Sequence, residues 1–416
     1  MRDLDRVIDA ALLPDAPARL GVAVSGGGDS LALLVLLARF AKRQGLPLFA
    51  ATVDHGLRQE AAAEARHVGS ISAQLHVPHK VLKWDGWDGQ GNLQDAARRA
   101  RYGLLADWAR SEGIPMVALG HTIDDQAETV LMRLGRAAGV EGLSAIPERF
   151  DRFDITWQRP LLGESRAALR DFLKSENIPW VDDPSNEDPA FDRIKARQAL
   201  KVLAPLGITP AALAQTAENM RRARAALDAR RAQVLKEIAQ ITAGAIAIPL
   251  ARLQAEPDEI QRLALVSCLN WVARNDYSPR RRSVAAARQA LVAKGSATLD
   301  GCRLLIKDGT LWVFREYHAV ETSKCRSDQL WDGRWQIAGP DKGVEIAALG
   351  AEGLAQCSDW RATSLPRAAL LATPAVWCGT EMVAAPVVDE LLQRGTIWRA
   401  VLKKHTSELY ETGSMH

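Results

Sequence analysis

The sequence predicts an α/β fold in its first half, with a doubly wound and mainly parallel sheet. Short apolar segments, including residues 21–24, 48–53 and 116–119, alternate with helical patterns up to about residue 180, as expected of strands joined by crossover helices. An apolar run at residues 31–38 directly follows three glycines and predicts a helix buried against the sheet. Ligands bind at the carboxyl ends of such strands, so the polar residues found there are the functional candidates.

The first of these strand ends carries Ser25-Gly26-Gly27-Gly28-Asp29-Ser30. Glycines let backbone N–H groups approach a bound group, and the next helix offers its positive N-terminus to an anion, so the loop predicts a phosphate site. A Walker A loop requires Lys-Ser or Lys-Thr after the glycines, but Asp29-Ser30 stands there. A dinucleotide fingerprint requires a small residue at the position of Leu31, so the sequence matches neither motif. The pattern Ser-Gly-Gly-x-Asp-Ser instead resembles the ATP pyrophosphatase (PP-loop) superfamily, whose Rossmann-like domains cleave ATP to AMP and pyrophosphate.

A second polar group follows the predicted strand 116–119. It reads Gly120-His121-Thr122-Ile123-Asp124-Asp125-Gln126-Ala127-Glu128-Thr129, named here the Gly120 block. Carboxylates in a first helical turn are commonly caps. One cap is enough, however, and three carboxylates with a histidine at a nucleotide site suit Mg²⁺ shared with phosphates. Asp54-His55 stands at the end of a third strand, at the same edge of the sheet.

The length of 416 residues predicts two or three domains. We expect an α/β domain over residues 1–204 and a mainly helical domain over residues 205–319, opened by a long helix capped at Thr209-Pro210 and ended by a hairpin around Asp308-Gly309. Residues 320–416, with a second hairpin near residues 331–335, predict a small α+β module.

The composition is that of a globular protein, with 47% hydrophobic and 25% charged residues. No apolar run approaches the roughly 20 residues of a membrane span, and the first residues lack the profile of a secretory signal. We therefore expect a cytoplasmic protein without a membrane partner.

The net charge is −3 over residues 1–200 and +6 over residues 201–416. Two basic clusters contribute to the surplus, namely Arg221, Arg222, Arg224, Arg230 and Arg231 on the long helix, and Arg280, Arg281 and Arg282. Either cluster could be a solvated helix face, and phosphate contact is the alternative hypothesis. All five cysteines lie beyond residue 267 and no two stand three apart, which excludes a Cys-x-x-Cys site and argues against a tRNA-thiolating enzyme.

Six motifs together resemble the bacterial tRNA(Ile)-lysidine synthetase family. They are Ser25 to Ser30, Val53-Asp54-His55-Gly56-Leu57-Arg58, Arg101-Tyr102, the Gly120 block with Leu131-Met132-Arg133, Arg159-Pro160-Leu161 and Asp183-Pro184-Ser185-Asn186. The resemblance covers residues 20–200 firmly and the rest loosely. Arg193-Ile194 departs from it, because many members have Arg-Asn there.

The resemblance implies an ATP- and Mg²⁺-dependent ligase that joins free L-lysine to C2 of the wobble cytidine, position 34, in tRNA(Ile) with a CAU anticodon. The cytidine is adenylated first, and AMP and pyrophosphate are released. Residues 205–319 would bind tRNA and residues 320–416 would add contacts, with Arg221, Arg224, Arg280, Arg281 and Arg282 as candidates. The resemblance also allows a homodimer.

The implied roles for the first domain are as follows. Ser25, Gly26, Gly27, Gly28 and Ser30 would hold pyrophosphate, and Val53, Asp54 and His55 would line the nucleotide site. Asp29 and Asp125 would bind Mg²⁺ or orient reacting groups, Arg101 would neutralise the α-phosphate, and His121 completes the catalytic set.

The lysine amine must lose a proton before it attacks, since its usual pKa is about 10.4. His121, Asp125 and Asp54 are the candidate acceptors, and the sequence leaves the choice open. Rival interpretations are another adenylating enzyme, such as a thiolase or an amidotransferase-type synthetase, and a non-catalytic nucleotide- or RNA-binding module. A glutaminase domain is missing for the amidotransferase type.

Overall fold

A computed structural model describes residues 3–56, 61–84, 86–87, 93–181, 192–273, 278–340, 343–403 and 407–410, with only the backbone at residues 94 and 95. The chain divides into two compact units, unit 1 (Met1–Arg224) and unit 2 (Ala225–His416). Two predicted motifs, Leu57-Arg58 and Asp183 to Asn186, lie outside the described residues.

Unit 1 alternates strands and helices as predicted. Its elements are α1 (Leu4–Leu12), β1 (Leu20–Ala23), α2 (Gly28–Gln44), β2 (Leu48–Asp54), α3 (Ala61–Gln74), β3 (His79–Lys83), α4 (Leu93–Ser111), β4 (Met116–Leu119), α5 (Ile123–Leu134), α6 (Val140–Leu143), β5 (Arg149–Arg152), β6 (Ile155–Gln158), α7 (Arg166–Ser175), α8 (Asp192–Leu203) and the first half of α9 (Pro210–Ile238).

The strands of unit 1 form one sheet in the order β3-β2-β1-β4-β6-β5. The pairs β1–β2, β1–β4, β2–β3 and β4–β6 are parallel, and only the β5–β6 hairpin at the edge is antiparallel. The chain runs outward from β1 to β3 and then returns to place β4 on the other side of β1. The loops after β1 and β4 therefore flank the switch point of the sheet, where ligands bind in open α/β folds.

Helices cover both faces of this sheet, which confirms the doubly wound prediction. Alternate residues of β4 enter different cores: Met116 and Ala118 pack with α2 and α7, whereas Val117 and Leu119 pack with α4. This alternation follows from the two-residue period of a strand. Helix α2 is apolar nearly all round because it lies in the first core, where Leu31 to Leu37 are almost fully buried.

Unit 2 continues α9 with β7 (Gln240–Thr242), β8 (Ala245–Pro249), α10 (Leu250–Gln254), α11 (Asp258–Ala273), α12 (Arg281–Lys294), β9 (Ser296–Leu299), β10 (Cys302–Lys307), β11 (Thr310–Arg315), β12 (Leu330–Trp331), β13 (Trp335–Ala338), β14 (Glu345–Ala348), α13 (Gly350–Gln356), α14 (Arg367–Leu371), β15 (Pro374–Cys378), β16 (Glu381–Ala384), α15 (Pro386–Leu391), β17 (Arg399–Leu402) and α16 (Ser407–Tyr410).

Three antiparallel sheets organise unit 2, in the orders β7-β8-β11-β10-β9, β12-β13-β17 and β14-β15-β16. The predicted β10–β11 hairpin is present, and its turn residues Asp308 and Gly309 both have positive φ. Ala245 and Phe314 share a core with Leu349 and Leu370, so residues on both sides of position 320 pack together. Within the described residues, no helix has the length and apolarity required to cross a bilayer.

Candidate active site

The loop between β1 and α2 is held in shape by its own serines. The Ser30 hydroxyl donates to the Gly27 carbonyl (2.9 Å) and accepts from the Ser25 backbone N–H (3.1 Å). Gly26 has a φ of +83°, which side-chain-bearing residues rarely adopt. No described side chain caps α2 at Gly27, so the first N–H groups of the helix are available to an anion.

Gly120 brings the second loop against the first. A Cβ on residue 120 would lie 3.0 Å from the Ser30 backbone nitrogen and 3.1 Å from the Asp29 carbonyl oxygen. A side chain at this position would therefore separate the two loops. The glycine loop and the Gly120 block form one site because β1 and β4 are neighbours and residue 120 has no Cβ.

Asp125 closes the first turn of α5. Its Oδ2 accepts the backbone N–H (2.8 Å) and the hydroxyl (2.9 Å) of Thr122. Burial alone would raise the pKa of Asp125, but nearby positive charge, including Arg166, and the Thr122 N–H outweigh it and lower that pKa. Asp125 is thus both the cap of the helix and a buried, ionised carboxylate.

Arg166, the first residue of α7, joins the acidic side chains of both loops. Its Nε donates to Asp29 Oδ2 (3.0 Å), its Nη2 lies 3.5 Å from Asp125 Oδ1, and its Nη1 lies 3.5 Å from Glu128 Oε1. Its backbone N–H also donates to Asp124 Oδ2 (2.8 Å). Burial opposes the charge of Arg166, but the carboxylates outweigh it and raise the pKa of the guanidinium.

Two oxygens of this cluster have no hydrogen-bond partner in the part of the chain that the structure describes. Asp29 Oδ1 and Glu128 Oε2 are buried and have no hydrogen-bond partner among the described residues. Glu128 Oε1 accepts from Arg197 Nε (2.9 Å), and the Glu128 side chain is only 1% exposed. Burial raises the pKa of Asp29, although Arg166 opposes the shift.

His121 is held as a neutral imidazole. Its Nδ1 lies 3.2 Å from Arg159 Nε, and because an arginine can only donate, Nδ1 is the acceptor and Nε2 carries the proton. Burial and the charge of Arg159 lower the pKa of His121 to about 3. Arg159 is itself anchored on the Pro147 carbonyl (2.6 Å) and near the Tyr102 hydroxyl (3.4 Å).

Arg101 is a partly buried cation with no carboxylate partner among the described residues. Burial, together with the like charges of Arg98 and Arg193, lowers the pKa of its guanidinium. Its charge also contributes, after burial, to the lowered pKa values of His55 and His121. A partly buried cation that has no carboxylate partner in the described part of the chain suits an anionic group of a ligand.

The end of β2 forms the third side of the site. Val53 and Asp54 are half-buried, and Asp54 Oδ1 accepts the Gly56 N–H (2.9 Å). The His55 ring meets Trp84 edge to face, with centroids 5.6 Å apart, and its buried Nδ1 has no hydrogen-bond partner among the described residues. This ring therefore retains one buried polar atom for a ligand.

The donor set fits Mg²⁺ held together with phosphates. The part of the chain that the structure describes contains no group of three His, Cys, Asp or Glu side chains that could hold a metal ion by themselves. Mg²⁺ commonly uses only one or two carboxylates and takes its other ligands from phosphates and water. Asp29, with one buried oxygen that no described residue contacts by a hydrogen bond, and the neighbouring Asp125 match that requirement.

The predicted tRNA-contacting arginines fall in both units. Arg221 pairs with Glu218, and Arg224 Nη2 lies 3.9 Å from Glu141 Oε1. In unit 2, Arg281 pairs with Glu259 (3.2 Å). Their exposed neighbours Arg280 and Arg282 have no ion pair with any described residue.

The sequence analysis gave no role to Arg166 or Arg197, and it named Arg159 only as part of a motif. One signal could have pointed to Arg166. It follows the N-cap Ser165, and a basic residue in a first helical turn interacts unfavourably with the helix dipole. A specific acidic partner outside the helix would explain an arginine at this position.

The PP-loop domain family matches residues 2–203 of the chain. In structure, a U34-tRNA thiolase from Methanococcus maripaludis resembles 52% of this chain and 78% of its own, with a TM-score of 0.46 and 17% identity. The fold and the family match define a PP-loop enzyme, an ATP-using ligase.

A curated tRNA(Ile)-lysidine synthase from Ruegeria pomeroyi is 49% identical over 416 residues, which cover 100% of this chain and 98% of that protein. Another, from Mesorhizobium japonicum, is 37% identical over 385 residues, which cover 88% of this chain and 83% of that protein. The chain belongs to the tRNA(Ile)-lysidine synthase family.

Proposed function

We propose that the chain joins free L-lysine to C2 of cytidine 34 in tRNA(Ile) with a CAU anticodon, with ATP as the activating substrate. Membership of the family supports this reaction. One structural observation supports the proposal above all others. The glycine loop and the carboxylates around Arg166 lie side by side at the switch point of the sheet.

The chemistry has two displacements. The C2 oxygen of cytidine attacks the α-phosphorus of ATP and pyrophosphate leaves; the ε-amine of lysine then attacks C2 and AMP leaves. Ser25, Ser30 and the N–H groups of Gly26 to Gly28 would hold the pyrophosphate, and Val53, Asp54 and His55 would line the nucleotide. Asp29 and Asp125 would hold Mg²⁺, which when bound neutralises phosphate charge.

Arg101 would neutralise the α-phosphate, because its guanidinium has no carboxylate partner among the described residues. His121 would act as a hydrogen-bond donor through Nε2, since its Nδ1 is engaged by Arg159 and its lowered pKa makes it a weak base. The lowered pKa of Asp125 likewise disfavours it as a proton acceptor for lysine.

The tRNA would be bound by basic residues outside the catalytic centre, with Arg221, Arg224, Arg280, Arg281 and Arg282 as the proposed contacts. Residues 205–319 would supply most of this surface, and residues 320–416 would add contacts. A homodimer stays a prediction.

The experiment that tests the reaction uses purified protein, Mg²⁺, ATP, radiolabelled lysine and a CAU-anticodon tRNA(Ile) transcript. We expect label covalently attached to tRNA(Ile) and release of AMP, with none of either for Asp29→Ala. Methionine tRNA, which shares the CAU anticodon, is the matched control. Equal labelling of both tRNAs, or ADP as the nucleotide product, would contradict the proposal.

A further inference from the structure

Arg166 contacts both carboxylates that are proposed to hold Mg²⁺. Its guanidinium lies within 3.0–3.5 Å of Asp29, Asp125 and Glu128. Its side chain is 20% exposed, so its charge is only partly screened by water. The three carboxylates converge on one guanidinium, whose positive charge offsets the repulsion between them.

A second guanidinium reaches the same cluster, because Arg197 also pairs with Glu128 (2.9 Å). Asp29 Oδ1 and Glu128 Oε2 are buried without a described partner. The cluster therefore keeps two buried carboxylate oxygens without a described partner, a feature that attracts another cation.

We propose that Arg166 is an internal counter-ion that competes with a divalent metal for Asp29 and Asp125. The guanidinium keeps the carboxylates converged before substrate binds and suppresses binding of the bare metal. A metal–nucleotide complex overcomes the competition, because its phosphates provide the guanidinium with a new anionic partner. The inference rests on the proposed use of ATP with Mg²⁺, and it makes Arg166 a positioning residue for that step.

The test measures Mn²⁺ binding without nucleotide, by electron paramagnetic resonance of the free ion. An opposite charge near a carboxylate changes its proton affinity by about 10- to 1000-fold, so we expect Arg166→Gln to bind Mn²⁺ at least tenfold more tightly than the wild type. Arg166→Lys keeps the charge but loses the fork that reaches several carboxylates, and we expect an intermediate affinity. Lys174→Gln removes a charge from the exposed side of the same helix and is expected to leave Mn²⁺ affinity unchanged.

A second titration adds α,β-methylene ATP, a non-cleavable analogue. With this analogue present, the difference in Mn²⁺ affinity between Arg166→Gln and the wild type should become smaller or change sign. The reason is that the wild-type guanidinium then binds the phosphates that accompany the metal. Equal Mn²⁺ affinity of wild type and Arg166→Gln without nucleotide, or weaker binding by the variant, would overturn the inference. If Arg166→Gln does not fold, an Arg166→Lys affinity no higher than that of the wild type decides against it.

These readouts separate the inference from the proposed function. A wild type that makes no lysidine but shows the expected Mn²⁺ pattern would contradict the reaction and leave the competition intact. Lysidine formation by the wild type, with equal Mn²⁺ affinity of wild type and Arg166→Gln, would support the reaction and contradict the competition.

Discussion

Gly120 packs against the backbone of Ser30, where a Cβ on residue 120 would lie 2.9 Å from the Ser30 Cα. Residues 30 and 120 belong to the loops after the paired strands β1 and β4. The contact aligns the glycine loop with the acidic side chains of α5, and it leaves no room for even one methyl group.

Gly120→Ala should therefore destabilise the protein by about 1–3 kcal/mol, the usual cost of overpacking, and raise the KM for ATP. Gly103→Ala is the matched control, since nothing lies within 4 Å of a Cβ placed at that helical position. Alanine should stabilise α4 there by about 0.5–1 kcal/mol. Urea unfolding of both variants checks the opposite signs, and a stable Gly120→Ala protein with normal KM would contradict the role of the contact.

Arg101→Ala should lower the rate of AMP formation by about 100-fold or more, the usual effect of removing a group that stabilises developing charge. Arg98→Ala provides a control one helical turn away, since Arg98 is exposed and stacks over Tyr102 at 5.6 Å. Arg98→Ala should lower the rate of AMP formation much less than Arg101→Ala does. Rapid-quench measurement of AMP distinguishes the two, and similar losses would show that Arg101 acts only through general positive charge.

His121 should make stability depend on pH. Burial and Arg159 lower its pKa to about 3, whereas an unfolded histidine has a pKa of about 6.5. Below that pH the unfolded chain binds a proton that the folded chain does not. The free energy of unfolding should thus fall by up to about 1.4 kcal/mol for each unit of pH below 6.5, and the contribution is fully present above it.

The comparison is between the wild type and His121→Asn in urea at several pH values from about 7.5 to 5. The wild type should lose more stability than the variant as the pH falls. Parallel curves would show that residue 121 is protonated equally in both states.

Arg231 and Arg230 are neighbours on α9 that differ in burial and in the partners of their side chains. The Arg231 side chain is 5% exposed and donates to Ser267 Oγ (2.8 Å) and the Leu409 carbonyl (3.3 Å). Arg231→Met leaves these groups without their donor and also removes the cation that lies 3.6 Å from the Asp228 carboxylate. We therefore expect a loss of about 3 kcal/mol in the free energy of unfolding. Arg230 forms a partly exposed pair with Glu256, so Arg230→Met should cost no more than about 1 kcal/mol. Calorimetry of both variants tests the difference.

Arg282→Gln should reduce the salt dependence of tRNA binding. Each phosphate contact contributes about 0.7–0.9 to the slope of log K against log salt, so loss of one contact should lower the slope by about that amount. Arg281 is already paired with Glu259, and its replacement should have a smaller effect. Filter binding at several KCl concentrations gives the slopes, and an unchanged slope for Arg282→Gln would remove it from the interface.

Local patterns allowed much of unit 1 and one hairpin of unit 2 to be predicted. The strand at residues 116–119 has the predicted bounds, and the helix after the glycine loop and the Asp308-Gly309 hairpin are also present. These elements depend on nearby residues, through apolar periodicity, glycine turns and caps. The sequence predicts only the β10–β11 hairpin of the five-stranded sheet in unit 2, because its other pairings join short strands without a strong local signal.

The sequence by itself determined the family, the doubly wound sheet and the two loops that carry Asp29 and Asp125. Only the tertiary structure placed Arg166 between them, 137 positions beyond Asp29, and Arg159 against His121. It also buried Arg231, which the sequence had grouped with possible phosphate contacts. The physical reason is that a long charged side chain finds its partner in three dimensions, and its local sequence does not specify which distant carboxylate, ring or carbonyl it will meet.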